Sequence, residues 1–576
     1  MKKIKPYINK DQRGHLYEVF SLAENYNITP KHMYISSSKK GVVRGFHQQT
    51  KDRQTKIIYC LSGKINDFTV SLDFQGNSFG EISQMQLDGS LSEGVLIEKD
   101  EAHGFECLED CQLLYICDQP YDPTGEFTIN PLSDNFLHLW QTKDPIISQR
   151  DRSGLALEEA KKLLTDYEQE DKKIVSEYKV FYAEANYGEE EISAVNNVLV
   201  NQRHNMVTSN NVTLFEEKVS KLFGKSYGVM SNSGSSANLL ALASFDFKPG
   251  SNVITPCLTF STTVAPIVQC GLVPNFVDCD IENLQIDVSA IEESINDDTV
   301  ALLIPNLIGN IPDWKRISEI ANKYELILIE DSADTIGYKL GEHIGNPYTD
   351  VATTSFYASH VITGAGTGGM TCFNNSKLKD KALSLRGWGR RSTQYGETED
   401  TNRRLSATLD GMDYDDKYIF DDLGYNFIPS EVSAAFALVQ LSKLSKNVEL
   451  RVSNYELMSS RLSKHNELIK LFKSSYSATT NWLAFPLLLI GRLAGKRKSL
   501  QSFLEDQGIQ TRTIFTGNIL RHPAMDGINY IGNVDEFPNA DNVMKDGILL
   551  GCHSRLTSDQ LNYVCDKFDE YIKENL

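Results

Sequence analysis

The sequence predicts a multidomain protein in which an all-β jelly roll precedes an α/β domain and a smaller C-terminal α+β domain. Residues 1–150 contain short runs rich in β-branched and aromatic residues, such as KIIYCLSGKINDFTVSLDF (56–74), separated by turn residues. From about residue 180, short apolar strands alternate with amphipathic helices, as in a mostly parallel sheet covered on both faces. After about residue 440 helices dominate, with a few strands between them.

These changes of pattern predict four segments. Residues 1–154 form the β domain, and residues 155–179, which are charged and lack Gly and Pro, form a helical linker. Residues 180–445 form the large α/β domain. Residues 446–576 form the small C-terminal domain.

Composition and charge exclude several classes of protein. The 576 residues include 41% hydrophobic and 23% charged residues, which is typical of a folded globular chain. The net charge of −20 would repel a nucleic acid, although local arginines can still bind a small anion. The N-terminus lacks the apolar core of a signal peptide, and no apolar run is long enough to span a membrane. We therefore expect a cytoplasmic protein without a nucleic-acid or membrane partner.

The ten cysteines do not suggest a metal site. They include no CxxC pair, and Cys107 and Cys111 lack a second pair at the spacing that zinc requires. We expect reduced, mostly buried thiols.

Two segments of the α/β domain have the chemistry of an anion and cofactor site. SNSGSSANLLALASF (231–245) is a small-residue turn that leads into an apolar helix, so its backbone N–H groups could bind a phosphate or could simply cap the helix. LILIEDSADTIG (326–337) is an apolar strand that ends in acidic residues at the sheet edge where ligands bind. Asp331 could pair with a protonated ring nitrogen or could cap the next helix.

The most specific segment is VATTSFYASHVITGAGTGGM (351–370), a strand that carries Ser355 and His360 and continues into a glycine-rich stretch. Together the three segments resemble the pyridoxal-phosphate (PLP) aminotransferases of fold type I that act on nucleotide sugars, the DegT/DnrJ/EryC1/StrS family, over residues 180–576. The resemblance assigns the cofactor phosphate to Gly234, Ser235, Ser236 and Ser355, ring stacking to Phe260, the pyridinium nitrogen to Asp331, the ring hydroxyl to Asp334, and a contact with the neighbouring subunit's site to Asn426. It thereby implies a homodimer or a higher homo-oligomer.

His360 departs from the aminotransferase pattern, which has a lysine at this position. Imidazole cannot replace that lysine as a stable covalent partner of PLP, but it can accept and donate protons near neutral pH. One branch of the family shares this histidine, the 3-dehydratases of nucleotide-linked 4-keto-6-deoxyhexoses, and the EDSAD (330–334) and RGWGR (386–390) segments resemble the same branch. The resemblance implies removal of the C3 hydroxyl of the sugar.

Dehydratases of this branch are of two kinds, which differ in the cofactors that they use. Some of these enzymes bind an iron–sulfur cluster through cysteines just after the RGWGR-like segment, but the corresponding RSTQYGETEDTNRRL (391–405) contains no cysteine. The chain therefore resembles the GDP-4-keto-6-deoxymannose 3-dehydratase type, which implies PLP, its pyridoxamine phosphate form and L-glutamate as amino donor, without an iron–sulfur cluster. The resemblance leaves GDP, CDP and dTDP open as the nucleotide.

The N-terminal segments resemble, in order, the dTDP-4-keto-6-deoxyglucose 3,5-epimerases, which are cupin-type jelly rolls, over residues 1–155. Epimerisation beside a ketone needs a base, an acid and a cation near the enolate oxygen. The resemblance assigns the base and its partner to His47 and Asp151, the acid to Tyr115, the cations to Lys56 and Arg44, a pocket position to His103, and nucleotide contacts to Arg13 and Glu18.

The N-terminal segment also departs from its family. Tyr34 replaces a usual asparagine, and the loop from His47 to Lys56 is one residue shorter. A 3,4-ketoisomerase is an alternative, although Gln49 stands where ketoisomerases have a second histidine. A nucleotide-sugar-binding domain without turnover is another.

The sequence thus predicts a bifunctional enzyme of deoxysugar biosynthesis that dehydrates a nucleotide-linked 4-keto-6-deoxyhexose at C3 and epimerises a 4-keto sugar, most economically at C5. The alternatives are a nucleotide-sugar aminotransferase or 3,4-ketoisomerase fusion, and a nucleotide-sugar-binding protein with an inactive domain.

Overall fold

The structure is a computed structural model that divides the chain into two compact units, residues 1–177 and 178–576. The residues it describes are 1–4, 8–17, 26, 28–51, 53–73, 78–175, 179–394, 400–474 and 478–575. No helix within these ranges is both long and apolar enough to cross a membrane.

The first unit consists of two five-stranded antiparallel sheets, with strand orders β1-β9-β6-β11-β4 and β12-β5-β10-β7-β8, and a separate β2-β3 hairpin. The strands are β1 Lys2–Ile4, β2 Ile8–Asp11, β3 Gly14–Tyr17, β4 His32–Ser38, β5 Val43–Gln49, β6 Lys56–Ser62, β7 Lys64–Ser71, β8 Ile82–Asp88, β9 Gly94–Ile97, β10 Glu101–Cys107, β11 Cys111–Cys117 and β12 Glu126–Ile129. This is the predicted all-β domain of the jelly-roll type.

The core of this unit includes buried side chains from both sheets, among them Ile58, Val95, Phe105 and Leu113. Two helices follow the strands, α1 Gln149–Arg152 and α2 Leu157–Val175.

Helix α2 occupies most of the segment that the sequence predicts to be a helical linker. Its Ala160 and Leu164 are fully buried in a cluster with Phe46 and Phe136, so its first turns belong to the core of the first unit. The other predicted domain boundaries stay predictions.

The second unit is built on a seven-stranded sheet with the order β13-β21-β20-β17-β16-β14-β15. Strands β20, β17, β16, β14 and β15 run parallel, whereas β21 is antiparallel to both of its neighbours. These strands are β13 Tyr227–Ser231, β14 Asn252–Pro256, β15 Val273–Val277, β16 Thr299–Pro305, β17 Ile327–Ser332, β20 Val351–Ser355 and β21 Gly369–Phe373. The mostly parallel sheet predicted from the sequence is therefore present.

Smaller sheets complete the unit. A four-stranded antiparallel sheet, β24-β26-β28-β27, lies in the C-terminal part. The remaining strands are β18 Lys339–Leu340, β19 His343–Ile344, β22 Ala407–Leu409, β23 Met412–Tyr414, β24 Ile469–Leu471, β25 Ala478–Thr479, β26 Phe485–Leu489, β27 Thr511–Arg512 and β28 Gly547–Leu550.

Helices pack against these sheets. They are α3 Glu189–Asn201, α4 Asn210–Leu222, α5 Gly234–Ala243, α6 Ser261–Gln269, α7 Val288–Ser294, α8 Trp314–Lys323, α9 Ser376–Arg386, α10 Thr401–Arg404, α11 Glu431–Ser442, α12 Leu444–Leu462, α13 Arg497–Asp506, α14 Pro538–Asp546 and α15 Ser558–Asn575. Two apolar clusters that include side chains of the large sheet form its core, and a third joins the small sheet to α12, α13 and α15.

Candidate active sites

A cavity of about 560 Å³ lies at the carboxyl end of the parallel strands in the second unit. This is the edge where parallel sheets bind ligands, because loops and helix N-termini converge there. Strands β17 and β20 bring Asp331 and Ser355 to the cavity, helix α5 brings Gly234, and residues after β27 close it from the small domain.

Asp331 is held in one orientation by neighbours from two other segments. Its Oδ2 accepts hydrogen bonds from Asn238 Nδ2 at 2.7 Å and Thr263 Oγ1 at 2.8 Å, and its Oδ1 accepts one from the Ala333 N–H at 3.1 Å. Burial raises the pKa of Asp331, and these hydrogen bonds act against the rise. A cation in the cavity would therefore stabilise the carboxylate.

The predicted anion turn lies at the N-terminus of α5. Ser233 caps the helix by accepting from the Ser236 N–H, and Ser233, Gly234, Ser235 and Ser355 all line the cavity. Ser236 does not line it, because its hydroxyl donates to Asn232 Oδ1 at 2.7 Å. The helix N-terminus thus presents N–H groups and hydroxyls beside Ser355, which suits a phosphate.

His360 lies in the same cavity beside Asp334. Its Nε2 is 4.0 Å from Asp334 Oδ1, and its buried Nδ1 has no hydrogen-bond partner among the described residues. Burial, helped by the positive charge of Arg451, lowers the pKa of His360 to about 4. Burial raises the pKa of Asp334 to about 7, although its carboxylate accepts from the Ile308 N–H at 2.7 Å. His360 is consequently a neutral imidazole at pH 7.

Other residues complete the wall of the cavity. Phe260 lines it with 52% of its surface exposed, so its ring is free to stack on a ligand. Asn426 is exposed and does not line the cavity, so its predicted role in a neighbouring subunit stays a prediction. Sequence reasoning missed Tyr182, Arg512 and His522, which line the cavity from distant parts of the chain.

A second cavity, of about 230 Å³, lies in the first unit. Strands of both sheets contribute to it, and five of the predicted catalytic and substrate-binding residues line it together, namely Arg44, His47, Lys56, His103 and Tyr115. Tyr34 also lines it and stacks on Tyr115 with ring centroids 4.5 Å apart. Sequence reasoning did not identify Tyr121, Glu126 or Arg150, which line its other side.

His47 has a carboxylate at each ring nitrogen. Its Nε2 lies 2.9 Å from Asp151 Oδ1, and its Nδ1 lies 3.0 Å from Glu126 Oε1. Burial would lower the pKa of His47, but Asp151 and Glu126 outweigh it and raise the pKa above its ordinary value.

Of the cationic and acidic candidates at this cavity, Lys56 and Tyr115 are buried, whereas Arg44 is exposed. Lys56 is buried, which lowers its pKa, and burial raises the pKa of Tyr115. Arg44 donates to Ser38 Oγ at 3.2 Å. His103 Nε2 lies 2.9 Å from Asp67 Oδ2, a fully buried partner that the sequence did not reveal.

Of the two predicted nucleotide contacts, the structure describes only Arg13. Arg13 is exposed in the turn between β2 and β3 and does not line it. Glu18 lies outside the described residues. No cluster of three or more metal-ligating side chains occurs in the parts of the chain that the structure describes.

Comparison with known proteins identifies both units. The model of the DegT/DnrJ/EryC1/StrS aminotransferase family matches residues 185–569, and that of dTDP-4-dehydrorhamnose 3,5-epimerase matches residues 1–159. The lipopolysaccharide biosynthesis protein RfbH of Salmonella typhimurium is 34% identical over 372 residues, covering 63% of this chain and 85% of that protein.

Two dehydratases are also similar. The dTDP-4-dehydro-2,6-dideoxy-D-glucose 3-dehydratase of Saccharopolyspora spinosa is 33% identical over 376 residues, covering 63% of this chain and 81% of that protein. A crystal structure of GDP-4-keto-6-deoxymannose-3-dehydratase with a trapped PLP-glutamate geminal diamine has a TM-score of 0.61 and 26% identity, covering 68% of this chain and all of that one. The chain therefore belongs to the DegT/DnrJ/EryC1/StrS aminotransferase family over residues 185–569 and carries a dTDP-4-dehydrorhamnose 3,5-epimerase-type domain at residues 1–159.

Proposed function

We propose that the chain is a bifunctional enzyme that removes the C3 hydroxyl of a nucleotide-linked 4-keto-6-deoxyhexose and epimerises a 4-keto sugar at C5. The single observation that carries the dehydratase assignment is His360, a neutral imidazole that lines the cavity containing Asp331. The pairing of His47 with Asp151 beside Lys56 and Tyr115 supports the epimerase.

The residues of the larger cavity fit PLP. The N-terminus of α5 and Ser355 suit its phosphate, Asp331 suits a protonated ring nitrogen, and the exposed Phe260 ring suits stacking on its pyridine. Gly234 also fits this role, because a Cβ there would lie 2.5 Å from Ser355 Cβ, so only glycine keeps the turn against the strand end. When bound, PLP supplies an electron sink and, as pyridoxamine phosphate, an amino group.

We assign separate roles to the residues of this cavity. Asp331, held by Asn238 and Thr263, keeps the ring nitrogen protonated. The imidazole of His360, which is neutral at pH 7, takes up a proton and then returns it to the departing C3 oxygen. A lysine at this position could instead form a covalent bond to the cofactor, so histidine favours dehydration over amination.

The overall reaction balances with L-glutamate as the amino donor. The sugar loses one oxygen atom, and glutamate becomes 2-oxoglutarate and ammonia. We propose that no iron–sulfur cluster takes part, because residues 391–405 contain no cysteine to bind one.

In the N-terminal cavity, His47 would remove the proton beside the ketone while Asp151 holds its ring. Lys56 and Arg44 would stabilise the enolate oxygen, and Tyr115 would return a proton on the opposite face. Because C3 loses its stereochemistry on deoxygenation, C5 is the carbon at which epimerisation has a lasting result.

We also propose that the protein is at least a homodimer. Asn426 is exposed and lies away from its own cavity, as expected of a residue that completes the site of a neighbouring subunit. Exposed apolar side chains lie on the same stretch, including Phe420 and the fully exposed Leu423.

The test is to incubate the protein with PLP, glutamate and the GDP, CDP or dTDP form of a 4-keto-6-deoxyhexose. We expect one nucleotide sugar to lose one oxygen atom by mass spectrometry, with one 2-oxoglutarate formed for each sugar. Appearance of an amino group at C4 would instead support an aminotransferase. No 2-oxoglutarate and no change in mass with any nucleotide would support a protein that only binds the sugar.

A further inference from the structure

Glu126 occupies the ring nitrogen of His47 that faces the N-terminal cavity. Asp151, with 5% of its side chain exposed, lies behind the ring and does not line the cavity, whereas Glu126 does. Resting on the proposed epimerase function, we propose that Glu126 is a positioning residue that blocks Nδ1 of His47 in the free enzyme and is displaced from it when the nucleotide sugar binds.

The block follows from the chemistry of imidazole. A carboxylate accepts hydrogen bonds only, so a ring with a carboxylate at each nitrogen is satisfied when both nitrogens carry a proton. Such a ring can donate protons but has no lone pair to accept one. A base that removes a sugar proton needs a lone pair on the nitrogen facing the substrate, which here is the nitrogen that Glu126 occupies.

Glu126 is itself held by two groups at the mouth of the cavity. Its Oε2 accepts from Tyr121 Oη at 2.6 Å and from Arg150 at 2.5 Å, while its Oε1 faces His47. Burial acts to raise the pKa of Glu126, but these three contacts lower it to about 2. Glu126 therefore stays ionised at any pH at which the enzyme is expected to act.

Arg150 provides a way to release Glu126. Its side chain is 51% exposed and lines the cavity, so the diphosphate of a nucleotide sugar can reach it. A diphosphate that pairs with Arg150 removes one of the contacts that fix Glu126, and the sugar then competes for the space beside Nδ1. Substrate binding would thus free the lone pair that the reaction requires.

Several other charged or titratable groups surround His47 and must be considered in any pH experiment. They are Tyr34 on β4, Arg44 on β5, Lys56 on β6, His103 on β10, Tyr115 on β11, Tyr121 in the following loop, and Arg150 and Asp151 on α1. Glu126→Gln keeps all of these residues and removes one negative charge, which faces Arg150 and Tyr121 as well as Nδ1 of His47.

The first measurement is an NMR titration of the full-length protein with labelled histidine, in which the His47 signal is assigned by its loss in His47→Asn. We expect Glu126→Gln to lower the pKa of His47 by about 1–3 units, the range that a neighbouring opposite charge produces. Glu126→Asp, which keeps the charge on a shorter side chain, should give a smaller shift. Glu109→Gln is the matched control, because Glu109 is exposed and pairs with Lys64 instead.

The second measurement is the pH profile of deuterium exchange from solvent into C5 of the sugar. The acid limb of kcat/KM reports the pKa of the base in the free enzyme, and the acid limb of kcat reports its pKa in the substrate complex. We expect Glu126→Gln to move only the kcat/KM limb to lower pH, because in the wild-type complex Glu126 has already left Nδ1.

The outcomes are distinct. An unchanged His47 pKa in folded Glu126→Gln, checked by circular dichroism, would overturn the proposal whether or not the protein turns over a sugar. An equal shift of both acid limbs would overturn displacement by the substrate. If no variant or wild-type protein exchanged deuterium, the epimerase function would be wrong, and the titration would still decide whether Glu126 controls the protonation of His47.

Discussion

The neutral imidazole of His360 is the residue on which the dehydratase mechanism depends. We predict that His360→Asn lowers the rate of oxygen loss from the sugar by about 10²–10⁴-fold, the usual contribution of a general acid–base group. Binding of PLP should persist, because Asp331, Phe260 and the turn at Gly234 are unchanged. Equilibrium dialysis with PLP and mass spectrometry of the sugar measure the two effects separately, and near-normal oxygen loss would refute the proton-transfer role.

The matched variant is His360→Lys, which restores the amine of the aminotransferases. Sodium borohydride should then attach PLP covalently to this variant, but not to wild type or His360→Asn, as measured by intact-protein mass. Oxygen loss should fall, because a lysine competes for the cofactor aldehyde. Equal trapping in His360→Asn would mean that another amine in the cavity binds the cofactor.

Sequence reasoning identified Asp331, Ser355 and His360 as candidates because each lies in a short segment whose residue types and spacing are distinctive. It missed Asn238 and Thr263, because they meet Asp331 only across 93 and 68 residues of chain. Glu126 was missed for a similar reason. It reaches His47 through the antiparallel pairing of β12 with β5, which no local pattern reveals.

At the level of secondary-structure elements, the meeting of helix α5 with strand β20 determines whether the phosphate turn can form. A Cβ at Gly234 would lie 2.5 Å from Ser355 Cβ, so Gly234→Ala must push the turn and the strand end apart. We predict strain of about 1–3 kcal/mol. Because 1.4 kcal/mol corresponds to about a factor of ten in affinity, PLP should bind about 5- to 150-fold more weakly.

Gly188→Ala is the control, because an added Cβ there would meet nothing within 4 Å. It should bind PLP as wild type does in the same dialysis measurement. Wild-type affinity in Gly234→Ala would contradict a phosphate site at this turn.

The sequence also predicted most elements of the large sheet, because buried parallel strands appear as short apolar runs between helical segments. YGVMSN, SNVITP and LILIEDS become β13, β14 and β17. The direction of β21 was not predictable, since a run of five residues does not indicate whether a strand is parallel or antiparallel to its neighbours. The packing of α2 on the first unit was likewise hidden, because among residues 157–166, the part of the helix whose side chains the structure describes, only Ala160 and Leu164 are buried.

At the level of the whole molecule, the division into two compact units predicts that PLP stabilises one of them. A ligand that binds only the folded state stabilises it by about 2.7 kcal/mol at a hundred times its dissociation constant. If residues 1–177 and 178–576 unfold separately, PLP should raise only one of two calorimetric transitions. The transition that rises should be that of the second unit. In Gly234→Ala, which binds PLP more weakly, PLP should raise this transition by less. Equal movement of both transitions would contradict independent unfolding.

The division into two units also predicts that a mutation can abolish epimerisation or C3 deoxygenation without abolishing the other reaction. In deuterated water, the wild-type protein should place deuterium at C5 of the sugar, because proton removal by His47 and return by Tyr115 exchange that hydrogen with solvent. His47→Asn should lose this exchange by about 10²–10⁴-fold and keep the loss of oxygen at C3, whereas His360→Asn should do the reverse. Proton and deuterium NMR of the sugar, followed with mass spectrometry, measures both reactions in one sample.

Exchange confined to C3 would contradict epimerisation at C5, and loss of both reactions in His47→Asn would mean that a single site performs them.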